Sequence, residues 1–291
     1  MFTGPLRFVF YLEFIGECPS VSCCSQDWES GIYDAMQPLL SRYPSAKWSR
    51  ADALKEFESA EKDIQVAQPD LLYTDVLARA HEVLEKRLDN LYGKPTIPDI
   101  PDAHVAFGNS IKDWSIFPDS SRALHDLAKH YKLVVLSNVD RTSFAHTHAK
   151  LSTGDPSAVS SPLYACPEPK PHGYWFPQKT TGSQSPFSLI LTAQDVHSYK
   201  PALPGFLTAL DVIQKDLLDV PTRQDTKEKV LWVAQSLFHD VEPASSLGIR
   251  SAWINRQGAS MGADEGNQKW TWKFKTLGEM AEVVGREAGE T

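Results

Sequence analysis

Several polar and charged side chains fall at the ends of apolar runs or just before helical patterns, where folds commonly place the groups that handle a ligand. Ser137 and Asn138 follow Leu133-Val134-Val135-Leu136, with Arg141 close behind. Lys200 and Pro201 precede a helical pattern, and Ser236 and Asp240 follow Val230-Leu231-Trp232-Val233-Ala234. In an open parallel sheet ligands bind beyond the carboxyl ends of the strands, so these tips lie where chemistry is expected. Each residue also has a plainer reading. Asp240 is a good helix N-cap, Ser137-Asn138 a turn after a strand, Lys200 a solvated cation and Arg141 half of a surface ion pair.

The elements that must position these groups follow from periodicity. Leu6 to Ile15 is rich in aromatic and β-branched residues and predicts a buried strand. Leu133-Val134-Val135-Leu136, Phe187-Ser188-Leu189-Ile190-Leu191-Thr192 and Val230 to Ala234 predict three more, and an apolar run ending at Asn255 a further one. Between the first strand and the rest lies a stretch with no good strand. Helices are expected from Asp27 to Pro44, Ser49 to Val66, Pro69 to Leu91 and Ala103 to Ser110, separated by Gly and Pro signals. Further helices are expected near Leu124, from Thr142, from Leu203 to Lys215, after Asp240 and from Leu277 to Arg286. Strands alternating with helices from Phe117 onward predict an α/β fold with a parallel sheet covered on both faces. Ser152 to Ser185, rich in Pro, Ser and Gly, reads as a surface insertion, and Asp216 to Lys229 as a charged connector.

Composition narrows the function. The chain has 291 residues and a formal net charge of -8. That balance disfavours nucleic acid as a partner, which would need clustered Lys and Arg, and leaves a small anionic substrate held by local cations as the expected partner. No window has the length and hydropathy of a membrane span, the basic leader of a signal peptide is missing, and a cytoplasmic location is the expectation. Cys18, Cys23, Cys24 and Cys166 have no zinc-site spacing and are read as free thiols. His146 and His148 near Asp155 lack a third ligand at a usual spacing, so no metal is assigned. His239 is left out of the site because adjacent residues rarely face the same way, and Trp114 and Phe117 are read as packing aromatics. A homodimer is left open.

The fragments Leu136-Ser137-Asn138-Val139-Asp140-Arg141, Ser198-Tyr199-Lys200-Pro201 and Val233-Ala234-Gln235-Ser236-Leu237-Phe238-His239-Asp240 together resemble motifs two, three and four of the haloacid dehalogenase superfamily. They resemble its fungal 2-haloacid dehalogenase-like branch. The resemblance runs from about Asp27 onward and implies a Rossmann-like core with an inserted α-helical cap: a first strand and loop over 1–26, a cap over 27–114 and a core over 115–291. It further implies a nucleophilic aspartate at the end of the first strand, which attacks a carbon bearing halide or a phosphorus atom to give an ester that water hydrolyses. Within it Lys200 would keep the nucleophile ionised, and Ser137 and Asn138 would donate to a substrate oxyanion or carboxylate. Ser236 and Arg141 would contact the substrate, and Asp240 would orient water or the lysine. No cofactor is implied for the dehalogenase reading and magnesium for the phosphatase one, although Ser236 stands where many phosphatases carry another acid.

The first motif departs from that pattern. No Asp occurs between Met1 and Gln26, and Glu13 takes the nucleophile's place with Gly16 as the motif's glycine. A glutamate is one methylene longer, enough to misplace an attacking oxygen and to cost about a hundredfold in rate. The abrupt onset of family character at Asp27 is also what an incorrectly assigned first exon would produce. Two functions follow: a hydrolase of a small anionic organic substrate, cleaving a carbon-halide or phosphoester bond, or a catalytically impaired relative that binds a metabolite or partner through its cleft.

Overall fold

The computed structural model describes residues 9–14, 25–98, 100–256 and 268–289, with the backbone alone for 9–14. The runs expected to be strands form one parallel sheet. Strand β1 (Val9–Phe14) lies at its centre, paired on one side with β2 (Lys132–Ser137) and on the other with β4 (Val230–Ala234). Strand β3 (Phe187–Thr192) flanks β2, while β5 (Arg250–Ile254) and β6 (Trp272–Phe274) extend the sheet beyond β4, giving the order β3-β2-β1-β4-β5-β6.

The continuous apolar runs are explained by burial on both faces. Leu133 and Val135 join one core cluster with Leu231 and Val233, whereas Val134 and Leu136 join another with Val230, Trp232 and Ala234. The two-residue period of a strand thus divides each run between two helical layers. Helices α5 (Ser120–Ala128), α6 (Arg141–Thr153) and α11 (Leu277–Ala288) pack into the first cluster, and α8 (Leu203–Val212) and α10 (Glu242–Ser246) into the second. The short helices α7 (Ala193–Val196) and α9 (Arg223–Glu228) complete this part of the fold.

Between β1 and β2 the chain forms a helical module: α1 (Trp28–Leu40), α2 (Arg50–Ala67), α3 (Tyr73–Tyr92) and α4 (Ala103–Gly108). Asp27 accepts from the Ser30 amide at 3.1 Å and starts α1, Ser49 and Asp52 form a capping box for α2, and Gly93, with φ of 79°, ends α3. Ile32, Met36, Phe57, Val76, Leu77 and Leu84 bury completely to form its core, which is continuous with the first cluster of the sheet.

The chain enters and leaves this module side by side. Gln26 and Ile116 form an antiparallel bridge, the Asp27 amide donates to Ser115 O at 2.9 Å, and the Phe117 amide donates to Ser25 O at 3.0 Å. Helix α6 clamps the pair. Thr147 Oγ1 donates to Gln26 Oε1 at 3.1 Å, and the buried Lys150 ammonium donates to Lys112 O and Trp114 O at 2.7 and 2.8 Å.

Three features differ from the sequence reading. Strand β6 is only Trp272-Lys273-Phe274, too short to show alternation. The charged connector contains α9, started by a Thr222–Asp225 capping box. The segment read as a surface insertion is irregular but anchored: Tyr164, Trp175 and Phe176 are buried, and Trp175 bridges to Ile190 of β3. Buried His148 holds it from beneath, donating from Nδ1 to Tyr164 O at 2.9 Å and accepting at Nε2 from Ser185 Oγ at 2.7 Å. Burial lowers that histidine's pKa to about 4, which keeps it neutral in this role. Single aromatic anchors have no period, which is why composition alone pointed to a loose loop. The expected strand residues Leu6 to Phe8 and Ile15, the irregular stretch 16–24 and Cys18, Cys23 and Cys24 lie outside the described residues; Cys166 is free, and burial raises its pKa to about 11. No described helix is long and apolar enough to cross a membrane.

Candidate functional site

The carboxyl ends of β1, β2 and β4 converge on Lys200. Its side chain is 1% exposed, and its ammonium donates to Leu136 O at 3.0 Å and to Asp240 Oδ1 at 3.1 Å. Leu136 is the register partner of Glu13, and Ser137 that of Phe14. The strand position of Glu13 is therefore adjacent to the carbonyl that anchors the lysine. Its side chain, and Gly16, lie outside the described residues.

Asn138 fixes the lysine through the main chain. Its Oδ1 accepts from the Lys200 amide at 2.8 Å and its Nδ2 donates to Lys200 O at 3.1 Å. Both polar atoms of Asn138, expected as a substrate donor, take part in holding Lys200 beside β2. Ser137, fully buried at the last position of β2, lies between Phe14 and Thr192 in the sheet register.

Asp240 is not a helix cap. Ser236 takes that position, accepting from the His239 amide at 3.0 Å at the start of a π-helical turn, Leu237–Val241. The turn brings Asp240 back under β4, where its Oδ1 also accepts from Trp232 Nε1 at 3.2 Å. Two donors converge on one carboxylate oxygen. The other, Oδ2, is buried and has no hydrogen-bond partner among the described residues. Removing either member of a buried pair of this kind costs about 3–5 kcal/mol, because the remaining charge is left without compensation.

Ser236 and Arg141, expected as substrate contacts, are both engaged within the chain. The Ser236 hydroxyl caps its own turn and meets His239 Nδ1 at 3.2 Å. Arg141 forms a fork on buried Asp195, from Nε at 2.9 Å and Nη2 at 2.8 Å, and reaches Glu168 from Nη1 at 3.1 Å. A guanidinium held in this way has few donors left for a ligand. His239 is 1% exposed, and burial lowers its pKa to about 3, so it stays neutral beside Asp240.

The helical module closes over this end of the sheet. Asp140, the N-cap of α6, accepts from the Thr74 amide of α3 at 3.1 Å as well as from Ser143. Tyr199 donates to Leu71 O at 2.6 Å, and Lys62 of α2 lies 5.5 Å from the ring centroid of Phe238, next to His239 and Asp240. Along α2, one turn from Lys62, Glu58 is pushed up to about 7 by burial, against the opposing pull of that lysine.

Trp232, Asp140 and Tyr199 were not anticipated as contributors. Trp232 and Tyr199 each carry a polar group on an otherwise apolar body and Asp140 reads as an ordinary helix cap; the one available signal is that the buried indole N–H of Trp232 needs an acceptor nearby.

Among the described residues no group of three or more His, Cys, Asp or Glu could hold a metal, and the Asp240 carboxylate accepts from the Lys200 ammonium.

No protein-family model and no curated protein sequence matches the chain. Solved structures do. The L-2-haloacid dehalogenase from Xanthobacter autotrophicus with chloropropionic acid covalently bound superposes with a TM-score of 0.61 at 13% identity, over 96% of this chain and 98% of that one. A defluorinating L-2-haloacid dehalogenase gives 0.61 at 14% identity, over 95% of each chain. The putative HAD-hydrolase YfnB from Bacillus subtilis, bound to magnesium, gives 0.58 at 13%, over 96% and 99%. The described part of the chain has the fold of the haloacid dehalogenases, a parallel α/β core with a helical module inserted after its first strand.

Proposed function

We propose that the chain is a hydrolase of small anionic organic substrates, related to the (S)-2-haloacid dehalogenases and their fungal branch. The observation that carries this reading is the buried Lys200–Asp240 pair, with one carboxylate oxygen that has no partner among the described residues, at the converging ends of β1, β2 and β4. Residues 27–114 act as the cap and 115–291 as the catalytic core. The site needs no metal and no cofactor in this reading.

The reaction has two steps. The Glu13 carboxylate attacks the carbon bearing the halide, forming a carbon-oxygen bond as halide departs with the bonding electrons. Water then adds to the ester carbonyl, one of its protons passing to Asp240 Oδ2; as the tetrahedral intermediate collapses, the departing alkoxide takes that proton back from Asp240 and leaves as the hydroxy acid, and Glu13 loses the second water proton to solvent, which restores its carboxylate. The Lys200 ammonium keeps Glu13 ionised in the first step and stabilises the oxyanion in the second. Ser137, at the end of β2, donates to the substrate carboxylate. Closure by the cap excludes water and strengthens these contacts.

The second reading, a catalytically impaired binder of the same class of ligand, is favoured by the extra methylene of Glu13. Halide release from 2-chloropropionate, run beside phosphate release from p-nitrophenyl phosphate with magnesium, separates the two. Halide release that is abolished by Glu13→Gln and kept or raised by Glu13→Asp supports the dehalogenase. Equal activity in both variants excludes Glu13 as the nucleophile. Binding of 2-chloropropionate without turnover supports the impaired binder.

A further inference from the structure

We propose that the helical module holds a second ligand site, selective for a hydrophobic primary ammonium ion. A cavity of about 450 Å³ opens between α1 and the segment from α4 through the turn Ser110–Asp113. Its size falls within the usual range for small-molecule pockets. Leu39, Ala106, Phe107 and Trp114 make its walls apolar. The base of α1 is fitted closely to one of them: a Cβ added at Gly31 would meet Trp114 Cγ at 2.4 Å, so the indole forms a fixed wall.

The polar groups favour a cation. Asp27, Asp34 and Asp113 line the cavity, and none is in an ion pair among the described residues. The lining guanidinium, that of Arg42, contacts the Glu85 carboxylate, which offsets its charge. Asp34 and Asp113 are exposed, Asp113 acts on the Lys150 ammonium and Asp27 also caps α1, so their attraction for a cation is partly screened by solvent and salt.

At the cavity wall His81, 3% exposed, supplies an acceptor. Its Nδ1 meets His104 Nδ1 at 2.7 Å, and His104 Nε2 lies 3.2 Å from Glu85 Oε2. With His104 donating to the glutamate, its Nδ1 accepts, and His81 Nδ1 is the donor between the rings. The Nε2 lone pair of His81 is then left, with no hydrogen-bond partner among the described residues. Burial, with the charges of His104 and Arg42 adding to it, lowers the His81 pKa to about 4, so that nitrogen remains an acceptor at neutral pH. An ammonium N–H satisfies it, the three carboxylates offset the charge, and Phe107 and Trp114 pack the apolar body.

The preferred ligand is opposite in charge to the one expected at Lys200, so the two sites can be tested separately. Calorimetric titration of the full chain with 2-phenylethylammonium and with its near-isosteric anion 3-phenylpropionate is the test. The ammonium should bind and the anion should not. Binding should weaken at least about tenfold in Asp34→Asn/Asp113→Asn, whose positions are exposed, and vanish in Ala35→Trp, which fills the cavity. It should be unchanged in Lys200→Met. Failure of the ammonium to bind at millimolar concentration, equal binding of the two probes, or full affinity in the double asparagine variant would overturn the assignment. Loss of binding in Lys200→Met with the fold intact would place the ligand in the core site and overturn it as well.

Discussion

Two buried aspartates, Asp195 and Asp240, meet cations in different ways. At Asp195 every acceptor position is used: Oδ1 receives Arg141 Nε and Nη2 and Lys170 Nζ, while Oδ2 receives the Thr192 amide at 3.0 Å and hydroxyl at 2.7 Å. Burial pushes its pKa upward, but the bonds from Lys170 and Thr192 outweigh this and leave it below the usual carboxylate range. At Asp240 both donors crowd onto Oδ1 and Oδ2 has no partner among the described residues. A saturated carboxylate fastens structure, here the start of α6 to the end of β3 and the anchored segment around Lys170. The Asp240 oxygen without a partner among the described residues, beside an ammonium at the strand ends, is the one that the proposed chemistry uses.

The largest effect should come from Lys200→Met, which removes the cation from the open pair. Turnover should fall by about a thousandfold or more, equivalent to ~4 kcal/mol, as read by initial rates of halide release on folded protein. Asp195→Asn should act on stability. Urea unfolding should show a loss of about 3 kcal/mol, because two cations then share a neutral partner, while kcat per folded molecule stays within a few-fold of wild type.

A third carboxylate sharpens the comparison. Glu29 of α1 has a buried Oε1 with no partner among the described residues, and its nearest cation, Arg50, lies 3.6 Å from Oε2. Burial dominates there, opposed by Arg50 and aided by Asp27, and raises its pKa from 4.5 to about 7. The folded chain thus binds this proton more tightly than the unfolded chain. The stability it contributes is fully present below pH 4.5 and is lost as pH rises through about 7. Glu29→Gln should remove that slope, making the variant gain about 2 kcal/mol relative to wild type between pH 4.5 and pH 8 in chemical unfolding. A flat difference across that range would show that an open oxygen alone does not perturb a buried acid here.

The smallest effect is expected of Trp232→Phe. The ring stacks on Phe206 at 4.4 Å, so the phenyl keeps much of the packing and the loss is mainly the bond to Asp240. A drop of about 1 kcal/mol in stability and a change in kcat with KM unmoved would mark it as a positioning residue.

The buried strands were legible because burial on both faces leaves long apolar runs, as in Leu133 to Leu136 and Val230 to Ala234. The closeness of Lys200 and Asp240 was legible from their places at strand tips and from the family likeness. What each polar side chain bonds to was not. Arg141 is claimed by Asp195, 54 residues away, and Asn138 by Lys200, 62 residues away, and neither distance leaves a local pattern. Asp240 and Ser236 exchanged their expected local roles because the turn between them is π-helical, with the cap one turn earlier than helix periodicity suggests. Trp232 read as core, which it is; its bond to Asp240 depends on that turn.

The account rests on Asp240 being the working member of the two aspartates. Halide release from 2-chloropropionate, measured side by side on folded Asp240→Asn and Asp195→Asn proteins, tests this most directly. It predicts that Asp195→Asn turns over at close to the wild-type rate while Asp240→Asn is slower by at least two orders of magnitude. Equal rates in the two variants, or greater damage from Asp195→Asn, would contradict it.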